Sequence, residues 1–557
     1  MPDHGVGWRQ VQVDGARADD RYAFIIDGST RVPDPASRYQ PEGVFGDSQL
    51  VDPDSFAWMH NEWRGRPWSE AVLWEAHVGA ATPEGTFAGL RKKLDHLVDT
   101  GVTALQLMPI AQAPGSRTWG YDGVLPFAPN CAYGAPDDLK ALVDEAHGKG
   151  LMVLLDVVYN HFGPSGNFLP AYADRFFNDR RHTPWGSAID FDGAHSAFVR
   201  SFFLQNALFW ISEYRFDGLR LDAVHAITDE GPEHFLDVLS QAVRARHPQR
   251  LVHLVLENEH NESAWLERGE DGAHLRYTAQ WNDDFHHCWH VLLTGESEDY
   301  YGAFSHDPKA QLRRCLSQGF VFQGELSPST GKPRGQNSAR LPPEAFVSFL
   351  QNHDHIGNRA YGDRLTTIVD MTQLATARAV LLLSPQTPML FMGEEWGSRT
   401  PFQYFVDFEN DEALSKSVRD GRRREFAAFA SYETEIPDPT LQSTFNGSRL
   451  DWSELSKDPY ADILAETRSL LDLRRRYVAA LAASGWRETT VEADEALRIC
   501  WRFANGSLRL RLNLSNIPIH GNLDEDEEAV WQSVGCKRSE DVYVLAPWAC
   551  VFTMCKA

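Results

Sequence analysis

Eight times between residues 71 and 395 the chain repeats one sentence: a short run apolar on both faces, a polar exit, then an amphipathic helix or a longer loop leading to one. The runs lie within "AVLWEAHVGA", "VTALQLMPI", "LMVLLDVVYNH", "RFDGLRLDAVH", "RLVHLVLENEH", "AQWNDDFHH", "AFVSFLQNHD" and "TPMLFMGEE". Strands with two apolar faces need cover on both sides, which a parallel sheet wrapped by helices provides. Eight such units close most economically into a (β/α)8 barrel of the TIM type, an α/β fold. An open doubly wound sheet is the alternative, but no glycine-rich phosphate-binding turn follows the first run. The helical segments carry their own signals: in "FAGLRKKLDHLVDTG" Leu90, Leu94, Leu97 and Val98 fall on one face before Gly101 stops the helix.

Three departures from the repeat define the domains. Residues 1–65 read as a partial N-terminal β-sandwich, a remnant of the carbohydrate-binding kind, and residues 66–480 as the barrel. Residues 481–557 turn to short alternating strands such as "LRLRLNL", the mark of a small C-terminal β-sandwich. Within the barrel a lobe is inserted at about 160–194 and a second insert at about 397–458, both after strand ends, where barrels build their sites. The first is rich in Phe, Tyr, Trp, Pro and Gly, a composition that argues against disorder. Its Trp185 either packs the lobe or reaches the cleft.

Charge narrows the partners. Lys plus Arg number 53 against 78 Asp plus Glu, a formal net charge of -25, so nucleic acid and anionic membranes are repelled. The start, "MPDHGVGWRQVQVDG", has neither a cationic nor an apolar signal region, and the longest apolar run is broken by Pro385 and Pro388. A cytoplasmic, non-membrane protein is expected. Seven scattered cysteines without CxxC spacing read as reduced thiols.

Chemistry enters at the strand ends. In "GLRLDAVH" Arg220 and Asp222 share one face of the pleat and Leu219 and Leu221 the other. Charges in an apolar strand cost free energy unless they are paired or open onto a cleft, so this stretch alone fits either a structural ion pair or a site. The pattern recurs, however: Asp156, Asn160 and His161 end the third run, Asp222 and His225 the fourth, Glu257 and Glu259 the fifth, Asn352, His353 and Asp354 the seventh. Acids converging from different strands offer glycosidic chemistry, one carboxylate attacking the anomeric carbon and another delivering a proton to the leaving oxygen. Arg220 would hold Asp222 ionised and aimed. Trp281, Asp283 and Asp284 either cap a strand or form a sugar subsite, and Tyr121 and Trp119 follow a strand exit and would wall the cleft. Glu394 and Glu395 read as part of a hydrogen-bonded rim.

"DVVYNH", "GLRLDAVH", "ENEH" and "FLQNHD", in this order, resemble the four barrel-strand motifs of the alpha-amylase family of glycoside hydrolases and transglycosylases. The resemblance implies retaining cleavage of α-glucosidic bonds with Asp222 as nucleophile, Glu257 as general acid/base and Asp354 as transition-state stabiliser, with a swap between Glu257 and Glu259 left open. It places His161, Arg220 and His353 around the reacting glucose. Further segments, "VPDPASRYQPEGVFG", "TWGYDGV", "TPWGSAIDFDG", "LENEHNES" and "QNHDHIGNR", are similar to one branch of that family. Members of that branch cut the α-1,4 bond beside the terminal trehalose unit of a maltooligosyltrehalose, a substrate made by a maltooligosyltrehalose synthase, which would be the functional partner. Glucan branching enzymes are the alternative. Covalent and acid/base catalysis by side chains requires no metal or cofactor. Two departures stand out. The residue after the third acid is His355, where the family carries glutamine, leaving either a proton-sensitive contact or a neutral exchange. The family also carries a whole N-terminal sandwich, so the natural start is expected upstream of Met1, with an extended chain more stable or soluble.

Overall fold

The structure, a computed structural model, describes residues 9–183, 186–409, 411–426, 436–492, 495–524, 526–539 and 542–556. Trp185 lies outside them. The eight expected strands are present: β1 (Leu73–Ala76), β2 (Ala104–Leu107), β3 (Met152–Val157), β4 (Gly218–Leu221), β5 (His253–Leu256), β6 (Ala279–Trp281), β7 (Phe346–Ser348) and β8 (Thr387–Phe391). Each pairs in parallel with its neighbour in sequence, and β8 pairs with β1 to close the barrel. The double apolarity of the strands is thereby explained. Leu73, Met152, Leu154, Val255, Val347 and Met389 fill the barrel interior, while Trp74, Leu105, Val153, Leu155, Leu219 and Leu221 pack outward against the helices.

The helix expected over residues 87–100 is broken into Phe87–Arg91 and Leu94–Thr100. Leu90, Leu94 and Leu97 are buried as the periodicity requires, but Val98 is 40% exposed. The turn at Lys92 and Lys93 rotates the second segment and carries Val98 off the buried face. Gly101 ends it at φ 100°, a left-handed turn that favours glycine.

Among the described residues, the N-terminal region contains two small sheets, Arg21–Tyr22 with Ser48–Gln49 and Phe24–Ile26 with Thr30–Val32. The rest of it is loop laid over the barrel, with the Arg38 guanidinium over the rings of Phe127 and Phe209 and Asp144 accepting the backbone N–H groups of Met59 and His60. The inserted lobe carries an antiparallel hairpin, Phe177–Thr183 with Gly186–Ile189. The C-terminal strands are β9 (Trp486–Glu492), β10 (Leu497–Phe503), β11 (Gly506–Leu512), β12 (Ile519–Asn522), β13 (Glu528–Gln532), β14 (Cys536–Ser539), β15 (Val542–Leu545) and β16 (Cys550–Lys556). They form a five-stranded sheet, β9-β10-β11-β16-β13, and a three-stranded sheet, β12-β15-β14. Trp501 of β10 ties this domain to the barrel by donating to the Leu316 carbonyl at 3.1 Å. All seven cysteines are free thiols, and no described helix is long and apolar enough to cross a membrane.

Candidate active site

Arg220 organises the site. It points into the barrel from β4, directly across the ladder from Asp156 of β3, and is fully buried. Its Nη1 donates to Asp156 Oδ2 at 2.6 Å and to Asp222 Oδ1 at 3.0 Å, and its Nη2 lies 2.7 Å from Glu257 Oε2. A buried guanidinium is tolerated because carboxylates from three strands surround it, and their field raises its pKa against the burial that would lower it. Two acids at adjacent strand ends are thus held within the span of one cation.

Their surroundings differ. Asp222 extends the β4 ladder through its N–H to the Val157 carbonyl, and its Oδ2 accepts from Asn160 Nδ2 at 2.7 Å. With Arg220 on the other oxygen, Asp222 is bound wholly by donors, the arrangement that suits a carboxylate. Ala223, next in the chain, is forced to φ 40° and ψ 51°, a left-handed conformation uncommon outside glycine, and there its N–H donates to Glu257 Oε2 at 2.8 Å. Burial raises the pKa of Glu257; Arg220 opposes this and Asp222 adds to it. Glu259 is 69% exposed and pairs loosely with His225 at 3.7 Å. It stands outside the buried cluster that Arg220 holds together.

Asp354 comes from a short helix, His353–Gly357, that follows β7 and is capped by Asn352 accepting from the His355 N–H. Beside it His353 Nδ1 lies 2.7 Å from Glu75 Oε1 on β1, and Glu75 Oε2 accepts the His353 backbone N–H at 3.1 Å. Burial opposes a charge on His353, yet Glu75 and Asp354 raise its pKa to about 9. His353 is therefore an imidazolium at neutral pH, 3.6 Å from Asp354. Tyr121 stacks on its ring and links Asp156 Oδ2 to His353 Nε2, each at 2.8 Å. Burial raises the pKa of Asp156 to about 7 despite Arg220. His161 bridges Asn160 and the Tyr121 carbonyl, and burial lowers its pKa to about 4.

The structure brings most of the sequence-predicted residues to this mouth. His225, Glu257, Asp283 and Asp354 line an open cleft of about 330 Å³, and Asp222, Tyr121, His161, Arg220 and His353 are linked to it from behind through Glu257 and Asp354, with Arg220 and His353 fully buried. Two expectations are corrected. Trp281 is no sugar platform: it is 1% exposed and lies under Arg220, whose guanidinium is 4.0 Å from its ring centroid. Asp284 is buried, pairing with Arg334 at 3.1 Å and accepting from Asn261 and the Val321 N–H, so its oxygens are committed to the protein. Glu395 faces the outer layer, where it meets Trp74 and His96, and Glu394 accepts the Phe391 N–H. Trp119 stacks on Phe402 behind His353. Sequence reasoning missed Glu75 and Arg334. Glu75 carried the same signal as Asp222, a lone acid in an apolar strand.

The chain matches two families: "Alpha amylase, catalytic domain" over residues 50–185 and a domain of unknown function, DUF3459, over residues 484–552. It is 42% identical to the malto-oligosyltrehalose trehalohydrolase of Saccharolobus solfataricus, over 85% of this chain and 80% of the relative. It is 40% identical to that of Arthrobacter ramosus, over 93% and 90%. A 1,4-alpha-glucan branching enzyme of Pseudoalteromonas atlantica is 32% identical over only 39% of this chain and 33% of its own. Among solved structures, a Salmonella typhimurium protein described as an alpha amylase superposes with a TM-score of 0.95 at 42% identity, covering 100% of this chain and 94% of that one. Barrel, ordered acids and these likenesses define a glycoside hydrolase of the alpha-amylase class. Within that class the chain belongs to the malto-oligosyltrehalose trehalohydrolase family.

Proposed function

We propose that the protein hydrolyses the α-1,4-glucosidic bond next to the terminal trehalose unit of a maltooligosyltrehalose, releasing trehalose and a maltooligosaccharide with retention of configuration. Asp222 is the nucleophile, Glu257 the general acid/base and Asp354 the stabiliser of the developing oxocarbenium ion. The observation that carries this reading is the contrast across Arg220. Both oxygens of Asp222 meet donors, whereas the donors to Glu257 gather on Oε2 alone and burial pushes its pKa up, which favours a proton there. Glu257 gives its proton to the leaving oxygen as Asp222 attacks the anomeric carbon, then takes one from water as the glycosyl ester is hydrolysed. The imidazolium of His353 backs Asp354 at 3.6 Å, and Arg220 is a positioning residue for both catalytic partners. A maltooligosyltrehalose synthase, whose product would be this substrate, is the functional partner.

Sugar chromatography tests the reading. Incubation with a maltooligosyltrehalose is expected to yield free trehalose, while the matching plain maltooligosaccharide is cut slowly or not at all. Branched or merely shortened glucans without trehalose would move the activity to branching or hydrolysis of ordinary α-glucans.

A further inference from the structure

On the face opposite the cleft, where the barrel strands begin, a second pocket of about 280 Å³ opens beside the ends of the helices Ser196–Ser212 and Phe235–Arg246. Its ten lining residues include four arginines, Arg64, Arg215, Arg246 and Arg250, with three histidines and no carboxylate. Such a concentration of positive charge is unexpected on a chain of net charge -25.

Two of the arginines are occupied. Arg250 donates to the carbonyls of Ile211, Arg215 and Phe216 and pairs with Asp217 at 3.5 Å, and Arg64 donates to the carbonyls of Asn61 and Trp63 and pairs with the exposed Glu62 at 3.5 Å. The nearby acids are occupied as well: Asp217 by His147 and Asp144 by two backbone N–H groups and His60. Arg215 and Arg246 pair with no carboxylate among the described residues. Arg215 rests over the Trp58 ring at 4.2 Å, and its backbone is held at φ 58°, a conformation that strains any residue but glycine. Between them His247 is bonded to Ser212 Oγ at 3.0 Å, and burial together with Arg250 and Arg246 lowers its pKa to about 4. An unbalanced positive potential thus coincides with a concave, polar surface and a strained backbone.

We propose that this pocket binds a small phosphorylated anion, a phosphomonoester or inorganic phosphate, between Arg215 and Arg246, with the Ser212 hydroxyl, itself accepting from His247, completing the hydrogen bonds. A neutral glucan gains nothing from uncompensated guanidinium groups, whereas phosphate oxygens match them. The volume is close to the lower end for ligand pockets, roughly 300 Å³, and leaves room for a small organic part. The site shares no residue with the cleft, so its occupant binds independently of the glycosidic chemistry.

Isothermal titration of the full chain at constant ionic strength with inorganic phosphate and with glucose 6-phosphate, glucose serving as control, tests the proposal. Saturable binding of at least one phosphate species at one site per chain, and none of glucose, is expected. Equal affinities would mean that phosphate alone is read, and tighter glucose 6-phosphate binding would identify a phosphomonoester site. Arg246→Ala removes an exposed side chain at a helix end, and Arg215→Gly suits the left-handed backbone while deleting the guanidinium. Each is expected to weaken binding roughly tenfold or more while melting as one cooperative transition and releasing trehalose at the wild-type rate. Absence of saturable binding, or affinity unchanged in both variants, overturns the proposal.

Discussion

Glu75→Gln separates the charge of the buried Glu75–His353 pair from its shape. In the wild type, burial acts against the imidazolium, yet Glu75 and Asp354 raise its pKa from 6.5 to about 9. That gap is worth about 3 kcal/mol of stability. The sign follows from linkage: a group whose pKa is higher in the folded state contributes fully below its unfolded value and loses that contribution as pH rises through the folded value. Wild-type stability should therefore fall by about 3 kcal/mol between about pH 6 and pH 10 through this group, and the variant should lack that component. The amide can still accept at one atom, but its NH2 confronts the His353 backbone N–H that Glu75 Oε2 now satisfies. A loss of up to about 3–5 kcal/mol at neutral pH is expected, the cost of breaking a buried charge pair. Urea unfolding of both proteins across the pH range gives the difference curve, which removes Glu394, raised to about 8 and titrating in both, and keeps only that part of the Asp156 titration, near 7, that depends on the charge of His353. Parallel curves would show that Glu75 does not hold His353 charged, and the reasoning would fail. Activity should follow: with His353 neutral, Asp354 loses its cation at 3.6 Å, and kcat should drop more than KM rises.

Further predictions concern the acids and their supports. Asp222→Asn and Glu257→Gln should each lower trehalose release by about 10²–10⁴-fold or more without changing the thermal melt by more than a few degrees, whereas Glu259→Gln should retain most activity. Proton NMR of the newly released reducing end should show the α anomer first; the β anomer would contradict the roles given to Asp222 and Glu257. His355→Gln should leave the pH profile of kcat/KM superposable on the wild type, because burial and then His287 hold His355 well below its usual range and keep it neutral. A displaced limb would make it a titrating contact after all. Ala223→Gly should change stability by no more than about 1 kcal/mol, since relief of the left-handed backbone, about 1–2 kcal/mol, is offset by glycine's greater freedom when unfolded. A large stability loss in urea titration would mean that the methyl group itself packs.

The barrel was legible because its signals are local. A strand covered on both sides is apolar on both faces, and eight such strands close with each beside its neighbour in the chain, so Leu219 and Leu221 announce their layer as plainly as Arg220 announces the interior. The acids were legible for the same reason: Asp222, Glu257 and Asp354 stand where a charge has no packing role. What failed was depth along the barrel axis. Trp281 ends its strand as Asp222 follows β4, and an aromatic at a strand end reads as a sugar platform. The interior is shared by eight strands, however, and Arg220, reaching in from another of them, covers that ring. Asp284 misled in a related way, because its partners Arg334, Asn261 and Val321 come from loops that no periodicity locates.

Glu75 is a buried acid of the same kind, on β1, with only β8 between it and β7, the strand that leads to Asp354. "LWEA" and "LRLD" pose the same problem of an ion among leucines and aromatics, and only the second recurs beside further acids at the strand ends. The two acids solve it in different ways: Asp222 through donors at the mouth of the cleft, Glu75 through one histidine held from below. Glu75's solution is not written in its own strand, since His353 lies 278 positions away, and that of Asp222 is written there only in part, since Arg220 is two residues off but Asn160 is 62. A buried acid in an isolated strand therefore reports that a partner exists. Only closure of the barrel identifies it, and here the closing pair, β8 with β1, is what brings Glu75 into the same ring as His353.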